Sequence, residues 1–257
     1  MVKLSEIISF LEDRFPPEYA EEFDNIGLLA GKSQKDIKKV LICLDCTPSV
    51  VREAVSLGAD LIISHHPFIF NSIKAVNDTS PLGSAIVLAL EENISIYSAH
   101  TNLDSAPGGL TDLVCSMLSL TPVSNIEGNL GRVCTTDTTA KALCAKIKDA
   151  FGIETLFSTF KKDRPIKKIA ICNGGGGGEL SEIAKGMCDV YISGDLKYHE
   201  ILSFSESDAD FIEMRHYDSE FIVTNLLKSE LDKNFAEVEF FISKSNSSPI
   251  IDTDKIM

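Results

Sequence analysis

Three short segments of this chain place histidine beside histidine or carboxylate where an apolar run ends. His65 and His66 follow Ala59-Asp60-Leu61-Ile62-Ile63-Ser64 and precede Pro67. His100 opens His100-Thr101-Asn102-Leu103-Asp104, and His216 opens His216-Tyr217-Asp218-Ser219-Glu220. Imidazole and carboxylate together are the ligands a divalent cation of borderline hardness takes. Adjacent histidines on a strand would point to opposite faces. Beyond the strand end, in a loop before proline, both rings can turn into one cleft. A lone histidine is more often a structural residue than a ligand, so no cluster argues much by itself. Three clusters, each at an expected strand end or helix start, point to one polynuclear metal site assembled from distant segments.

The elements that must position these residues follow from the apolar pattern. Residues 40–44 form a short apolar run of the buried parallel type. Thr47 suits an N-cap with Pro48 at the first helical position. Val50, Val51, Ala54 and Val55 then give a helical stripe, and Gly58 a stop. Residues 61–63 read as the next strand. Ser80-Pro81 opens a helix with Leu82, Ala85, Ile86 and Ala89 on one face, and 94–97 is a third strand. Strands alternating with helices imply parallel βαβ units, whose ligands bind beyond the strand C-termini. His65-His66 and His100 to Asp104 occupy such ends.

The chain also resembles itself at an offset of 129 residues. Lys38-Lys39-Val40-Leu41-Ile42-Cys43 matches Lys167-Lys168-Ile169-Ala170-Ile171-Cys172, and Ala59 to Ser64 matches Cys188 to Ser193. The second copy keeps the strand–helix–strand frame but has Gly194-Asp195 where the first has His65-His66. The expected fold is therefore α/β, with two similar lobes related by internal duplication and a metal site in the cleft between them. The lobes are expected over residues 1–127 and 128–257, with the C-terminal segment free to pack back on the first.

Between a strand and a helix lies Asn173-Gly174-Gly175-Gly176-Gly177-Gly178. It lacks Gly-Lys-Ser/Thr, and Glu179 stands where the third glycine of a dinucleotide fingerprint belongs. A strand-to-helix turn is the favoured reading, with a phosphate contact as the alternative. The net charge of −14 over 257 residues argues against a nucleic-acid partner. No apolar stretch approaches a membrane span, and the N-terminus lacks a signal-peptide core, so a cytosolic protein is expected. Seven scattered cysteines read as buried thiols.

These motifs resemble the dinuclear metal-centre proteins known as GTP cyclohydrolase 1 type 2, or the Ngg-interacting-factor-three-like family. The resemblance runs through Asp24-Asn25-Ile26-Gly27-Leu28-Leu29, Ser64-His65-His66-Pro67, Ala99-His100-Thr101-Asn102-Leu103-Asp104, Gly131-Arg132-Val133, Ser193-Gly194-Asp195-Leu196-Lys197-Tyr198-His199 and His216-Tyr217-Asp218-Ser219-Glu220. Phe23 stands where the family usually has Trp, and the chain lacks the middle insertion of larger members. The resemblance implies two similar α/β lobes and a toroidal homohexamer. It also implies two metal ions held by His65, His66, Asp104, His216 and Glu220, with Glu220 bridging both.

The chemistry this implies is metal-dependent hydrolysis of a small-molecule substrate, a nucleotide or a phosphoester. On the family's name, the reaction would open the imidazole ring of GTP. Zn, Fe, Mn or Ni would suit mixed histidine and carboxylate ligands. His100 and His199 are the candidates for acid/base or supporting roles. The rival class is a metal-binding scaffold, carrier or interaction partner. His216 and Glu220, four apart, are expected on one helical face, with Asp218 or Ser219 capping the helix that follows through Leu226 and Leu227.

Overall fold

The structure, a computed structural model, describes residues 1–126 and 128–250. The chain begins with β1 (Val2–Lys3), α1 (Leu4–Arg14), β2 (Gly27–Ala30), β3 (Asp36–Ile37), β4 (Lys39–Cys43) and α2 (Pro48–Leu57). It continues through β5 (Leu61–Ser64), α3 (Pro81–Glu91), β6 (Ser95–Ser98), α4 (Thr101–Ser105), α5 (Leu110–Met117), β7 (Thr121–Asn125), β8 (Gly131–Thr139) and α6 (Ala140–Phe151). There follow β9 (Phe157–Ser158), β10 (Pro165–Gly175), α7 (Glu179–Lys185), β11 (Val190–Gly194), α8 (Tyr198–Ser205), β12 (Asp210–Glu213), α9 (His216–Glu220), α10 (Val223–Asn234) and β13 (Glu239–Ile242). Two compact units result, Met1–Leu103 with Phe221–Met257, and Asp104–Glu220.

The fold is mixed α/β. In the first unit five strands run in the order β13-β4-β5-β6-β2, with β2 antiparallel to β6 and the other neighbours parallel. In the second unit six strands run β7-β8-β10-β11-β12-β9, with a parallel centre of β10, β11 and β12. Strands covered on both faces are largely apolar, and β5 and β11 are buried at every residue, Ser64 and Ser193 included. The division falls after Leu103 and after Glu220. Thus β7, ahead of the boundary expected between 127 and 128, pairs with β8, while β13 pairs with β4 in the first unit.

Local chemistry fixes the helices. The Thr47 hydroxyl accepts from Val50 N–H at 3.3 Å and Ser80 from Gly83 N–H at 3.1 Å, each ahead of a proline at the first helical position. Such caps contribute about 1 kcal/mol each. Gly58, at φ 63°, ends α2 in the left-handed conformation that costs glycine little. The buried stripes of α2 (Val50, Val51, Ala54) and α3 (Ala85, Ile86, Ala89) join Leu41, Ile62 and Ile96 in one core. All seven cysteines are free thiols, four buried and three half-buried, so burial is less complete than the composition suggests.

The internal repeat extends to individual hydrogen bonds. β4 and β5 pair Val40 with Leu61, Leu41 with Ile62 and Ile42 with Ile63; β10 and β11 pair Ile169 with Val190, Ala170 with Tyr191 and Ile171 with Ile192. Every pair is displaced by the same 129 residues. Asp60 Oδ2 accepts from Lys38 N–H and Lys39 N–H at 2.8 and 3.1 Å. Asp189 Oδ2 accepts from Lys167 N–H and Lys168 N–H at 2.7 and 2.8 Å. Each aspartate starts the second strand of its copy by tying it to the first. Beyond the third strands, β6 and β12, both copies make a five-residue helix, α4 or α9. The two points at which the chain changes unit lie in or just after these helices.

Equivalent roles imply equivalent energetics. Asp60→Ala and Asp189→Ala each delete two hydrogen bonds to backbone, worth about 1 kcal/mol apiece. Urea unfolding of the two variants is expected to show losses of about 1–3 kcal/mol for each. A loss confined to one of them would show that the repeat is geometric only.

Candidate metal centre

His65 and His66 sit just past β5, where their amides still donate to Cys43 O at 3.1 Å and Leu44 O at 2.9 Å. The strand ladder thus fixes their backbone while proline ends the strand. In each of four histidines an oxygen then fixes the ring. Nδ1 of His65 lies 2.8 Å from Ala99 O, and that of His66 2.7 Å from Asp45 Oδ1. Nδ1 of His100 lies 2.9 Å from Asp24 Oδ1, and that of His216 2.8 Å from Asp195 Oδ2. A carbonyl or carboxylate oxygen only accepts, so Nδ1 carries the proton in each contact. In His65, His66 and His100 a neutral ring held in this way presents the Nε2 lone pair. Metal-binding histidines are held in this way, with the outer oxygen fixing tautomer and ring orientation.

In the first unit the rings of His65, His66 and His100 gather, with centroids 5.3, 5.2 and 5.6 Å apart. One ring nitrogen of each lies within 4.8 Å of the others, close enough for one cation. In the second unit His216 Nε2 is 2.8 Å from Glu220 Oε2, one turn along α9. Glu220 is 3% exposed, and Asp104, in α4, 7%. Carboxylates are rarely so buried unless paired or coordinating a metal. Asp104, His216 and Glu220 each fall in a further group of side chains that could hold an ion. Imidazole nitrogens set in the Nε2-presenting tautomer, beside buried carboxylates, form a donor set that fits a divalent cation of borderline hardness.

The glycine run makes room for this chemistry. A Cβ on Gly174, at φ 60°, would lie 2.0 Å from Glu220 Oε1 and 3.1 Å from His216 Nε2, so any side chain there would displace the carboxylate. Three amides of the run are already engaged: Gly174 N–H with Ser219 Oγ at 3.0 Å, Gly176 N–H with Ser193 Oγ at 3.0 Å and Gly178 N–H with Glu200 Oε1 at 2.7 Å. The turn reading therefore prevails over the phosphate cradle.

Ser219 donates its own proton to His216 O, and Asp218 Oδ2 pairs with Arg215 at 2.6 Å. Neither caps α10, whose N-cap is Ile222 with no side-chain bond, contrary to the expectation from sequence. The short helix α9 intervenes: Asp218 pairs with Arg215 just ahead of it, and Ser219 bonds within it and to Gly174 of β10.

His199 stands exposed in α8 with its ring edge-on to Tyr198, and it belongs to none of the groups suited to an ion. The residues that sequence reasoning missed are the oxygens behind the rings: Asp24, Asp45, Asp195 and the Ala99 carbonyl. Asp24 and Asp195 stood inside quoted motifs, but nothing in their spacing indicated a partner. Burial pushes the Asp24 carboxyl up, yet hydrogen bonds from His100 and Thr101 outweigh it and bring its pKa down to about 2. It is a carboxylate at any ordinary pH. Asp195 replaces His66 at the repeat offset, so the position that bears a ring in the first copy supplies the ring's anchor in the second. It does so at φ 57°, a left-handed conformation.

The family model for Duf34/NIF3 (NGG1p interacting factor 3) matches residues 2–249. The chain belongs to this family. A GTP cyclohydrolase 1 type 2 homolog of Clostridium perfringens is 35% identical over 262 residues, covering 96% of this chain and 98% of the relative. Another, of Methanocaldococcus jannaschii, is 31% identical over 246 residues, covering 93% and 100%. Among solved structures, reduced HcgD from Methanocaldococcus jannaschii matches with a TM-score of 0.86 at 29% identity, over 95% of this chain and 98% of that one. A Bacillus cereus protein related to NIF3 shares the fold with a TM-score of 0.84 at 23% identity, over 97% and 99%. The α/β fold read from the sequence is that of the family. No helix among the described residues is long and apolar enough to cross a membrane.

The strained anchor gives a direct test. Asp195→Gly relieves a conformation that costs a non-glycine residue roughly 1 kcal/mol, but removes the oxygen behind His216. The melting temperature is expected to hold or rise while zinc affinity falls about 10–100-fold, read by calorimetric titration. A melting temperature that falls with an unchanged affinity would give Asp195 a structural role only.

Proposed function

We propose that His65, His66, Asp104, His216 and Glu220 together hold two divalent cations, and that the protein is a metal-dependent hydrolase acting on a nucleotide or phosphoester. The observation that carries this reading is that each of the three histidines in this set has its Nδ1 held by an oxygen, His65 by Ala99 O, His66 by Asp45 and His216 by Asp195. Membership of a family whose curated relatives are called GTP cyclohydrolase 1 type 2 homologs supports the hydrolytic class. The same proposal includes a homohexamer in a cytosolic setting.

Cations held by these residues would supply Lewis acidity, lowering the pKa of a bound water and offsetting charge on the reacting oxygens. The remaining work falls to the chain. Glu220 supplies a buried negative charge that two cations can share, while Gly174 gives it space. His100, tied at Nδ1 to Asp24, can accept or return a proton at Nε2, and the Asp24 carboxylate would stabilise the imidazolium. His199, exposed on α8, is the second candidate for proton transfer. Ring-opening of GTP and phosphoester cleavage both need an activated water and a proton donor, so both belong in the assay.

Elemental analysis is expected to find about two divalent ions per chain, and none after the double substitution His65→Ala with Glu220→Ala. Full occupancy in that variant would remove the site. The two acidic residues of α9 separate charge from location. Glu220→Gln should strip metal, whereas Asp218→Asn, which loses only its pair with Arg215, should leave occupancy intact. Equal losses would mean that the wrong carboxylate was chosen. Turnover of GTP or a phosphoester panel with Mn²⁺, Fe²⁺ or Zn²⁺ tests the reaction, and tight metal binding without turnover would favour a metal-binding scaffold or carrier.

A further inference from the structure

Past β13 the chain turns back over α2 and is clasped there. Glu53, on α2, accepts from Ser243 Oγ at 2.6 Å, Lys244 N–H at 3.0 Å and Ser245 N–H at 2.9 Å. Ser243 N–H also donates to Ile42 O at 2.8 Å. This clasp delivers Asn246, 7% exposed, to the bend that follows β4. There its Oδ1 accepts from the backbone N–H groups of Leu44 and Asp45, the latter at 3.0 Å. Its Nδ2 donates to Asp45 Oδ2 at 3.4 Å. The other oxygen of Asp45 holds His66 Nδ1 at 2.7 Å.

One asparagine, some 200 residues away in sequence, thus fixes both the backbone and the carboxylate of Asp45. The Asp45 side chain is 37% exposed. A carboxylate so open to water, in a bend off a strand end, has several rotamers to choose from. Engaging its second oxygen selects the one that faces the imidazole. We propose that Asn246 is a positioning residue for His66, and that the segment 243–246, clamped by Glu53, sets the ring through Asp45. As a statement about metal affinity, the inference rests on the dinuclear reading above; as a statement about the ring, it does not.

Two full-length variants test it. Asn246→Ala removes the side-chain hydrogen bonds to Leu44 and Asp45. Asn246→Asp keeps an oxygen for the two backbone amides but sets a carboxylate against that of Asp45. Histidine-selective ¹⁵N NMR of the metal-free protein, at a pH where the rings are neutral, reads the tautomers. In the wild type His66 is expected wholly as the Nδ1–H form. Both variants are expected to show a mixture at His66, with His216, anchored by Asp195, unchanged as a control for folding. Zinc affinity should fall about tenfold or more, within the range found when a ligand loses its outer partner. Glu53→Gln should shift both readouts in the same direction. A pure Nδ1–H form at His66 in both Asn246 variants would overturn the inference. A wild type that binds no divalent metal would overturn the dinuclear reading instead, and the tautomer measurement would still decide the role of Asn246.

Discussion

An imidazole can offer a metal only one of its nitrogens at a time, and the bond made by the other decides which. Here that choice is made four times by an oxygen on Nδ1: a backbone carbonyl for His65 and carboxylates for His66, His100 and His216. Much of the local architecture serves those oxygens. Ala99 O is placed by the end of β6, Asp24 by its bonds to Thr101, and Asp195 by a left-handed turn at the end of β11. Free imidazoles on loops would sample both tautomers and several rotamers, and each would have to be ordered at the cost of binding energy.

The duplicated frame explains how such different pieces came to lie at comparable places. Both copies use an aspartate to start the second strand and carry a short helix beyond the third. Their contributions have diverged at matching positions. Where the first copy carries His66, the second carries Asp195, the anchor of His216. Where the first carries Asp45, the anchor of His66, the second carries Gly174, which leaves space for Glu220. The frame fixes positions, and the side chains share the work out differently.

Much of this was legible in the sequence for local reasons. Strand runs, the Thr47 and Ser80 caps and the 129-residue offset depend on neighbours in the chain, and the offset holds in strand register over the first three pairs, up to the irregularity after Ile171. The histidine clusters were visible as unusual composition at strand ends. The anchors were not, because a backbone carbonyl has no sequence signature and an aspartate near a turn has many ordinary uses. Asn246 illustrates the limit, since its partners at Leu44 and Asp45 are brought to it by the pairing of β13 with β4 and by the hold of Glu53 on residues 243–245. Asp218 and Ser219 do not cap the helix that follows because α9 is a separate short element whose serine reaches across to Gly174.

The central claim is that the Nδ1 anchors exist to present Nε2 to cations. Crystals soaked in zinc and measured at its absorption edge test it most directly. The account predicts anomalous peaks about 2.0–2.1 Å from Nε2 of His65, His66 and His216, with every Nδ1 bond to its oxygen retained. Peaks bound through Nδ1, or peaks that avoid these rings altogether, would contradict it.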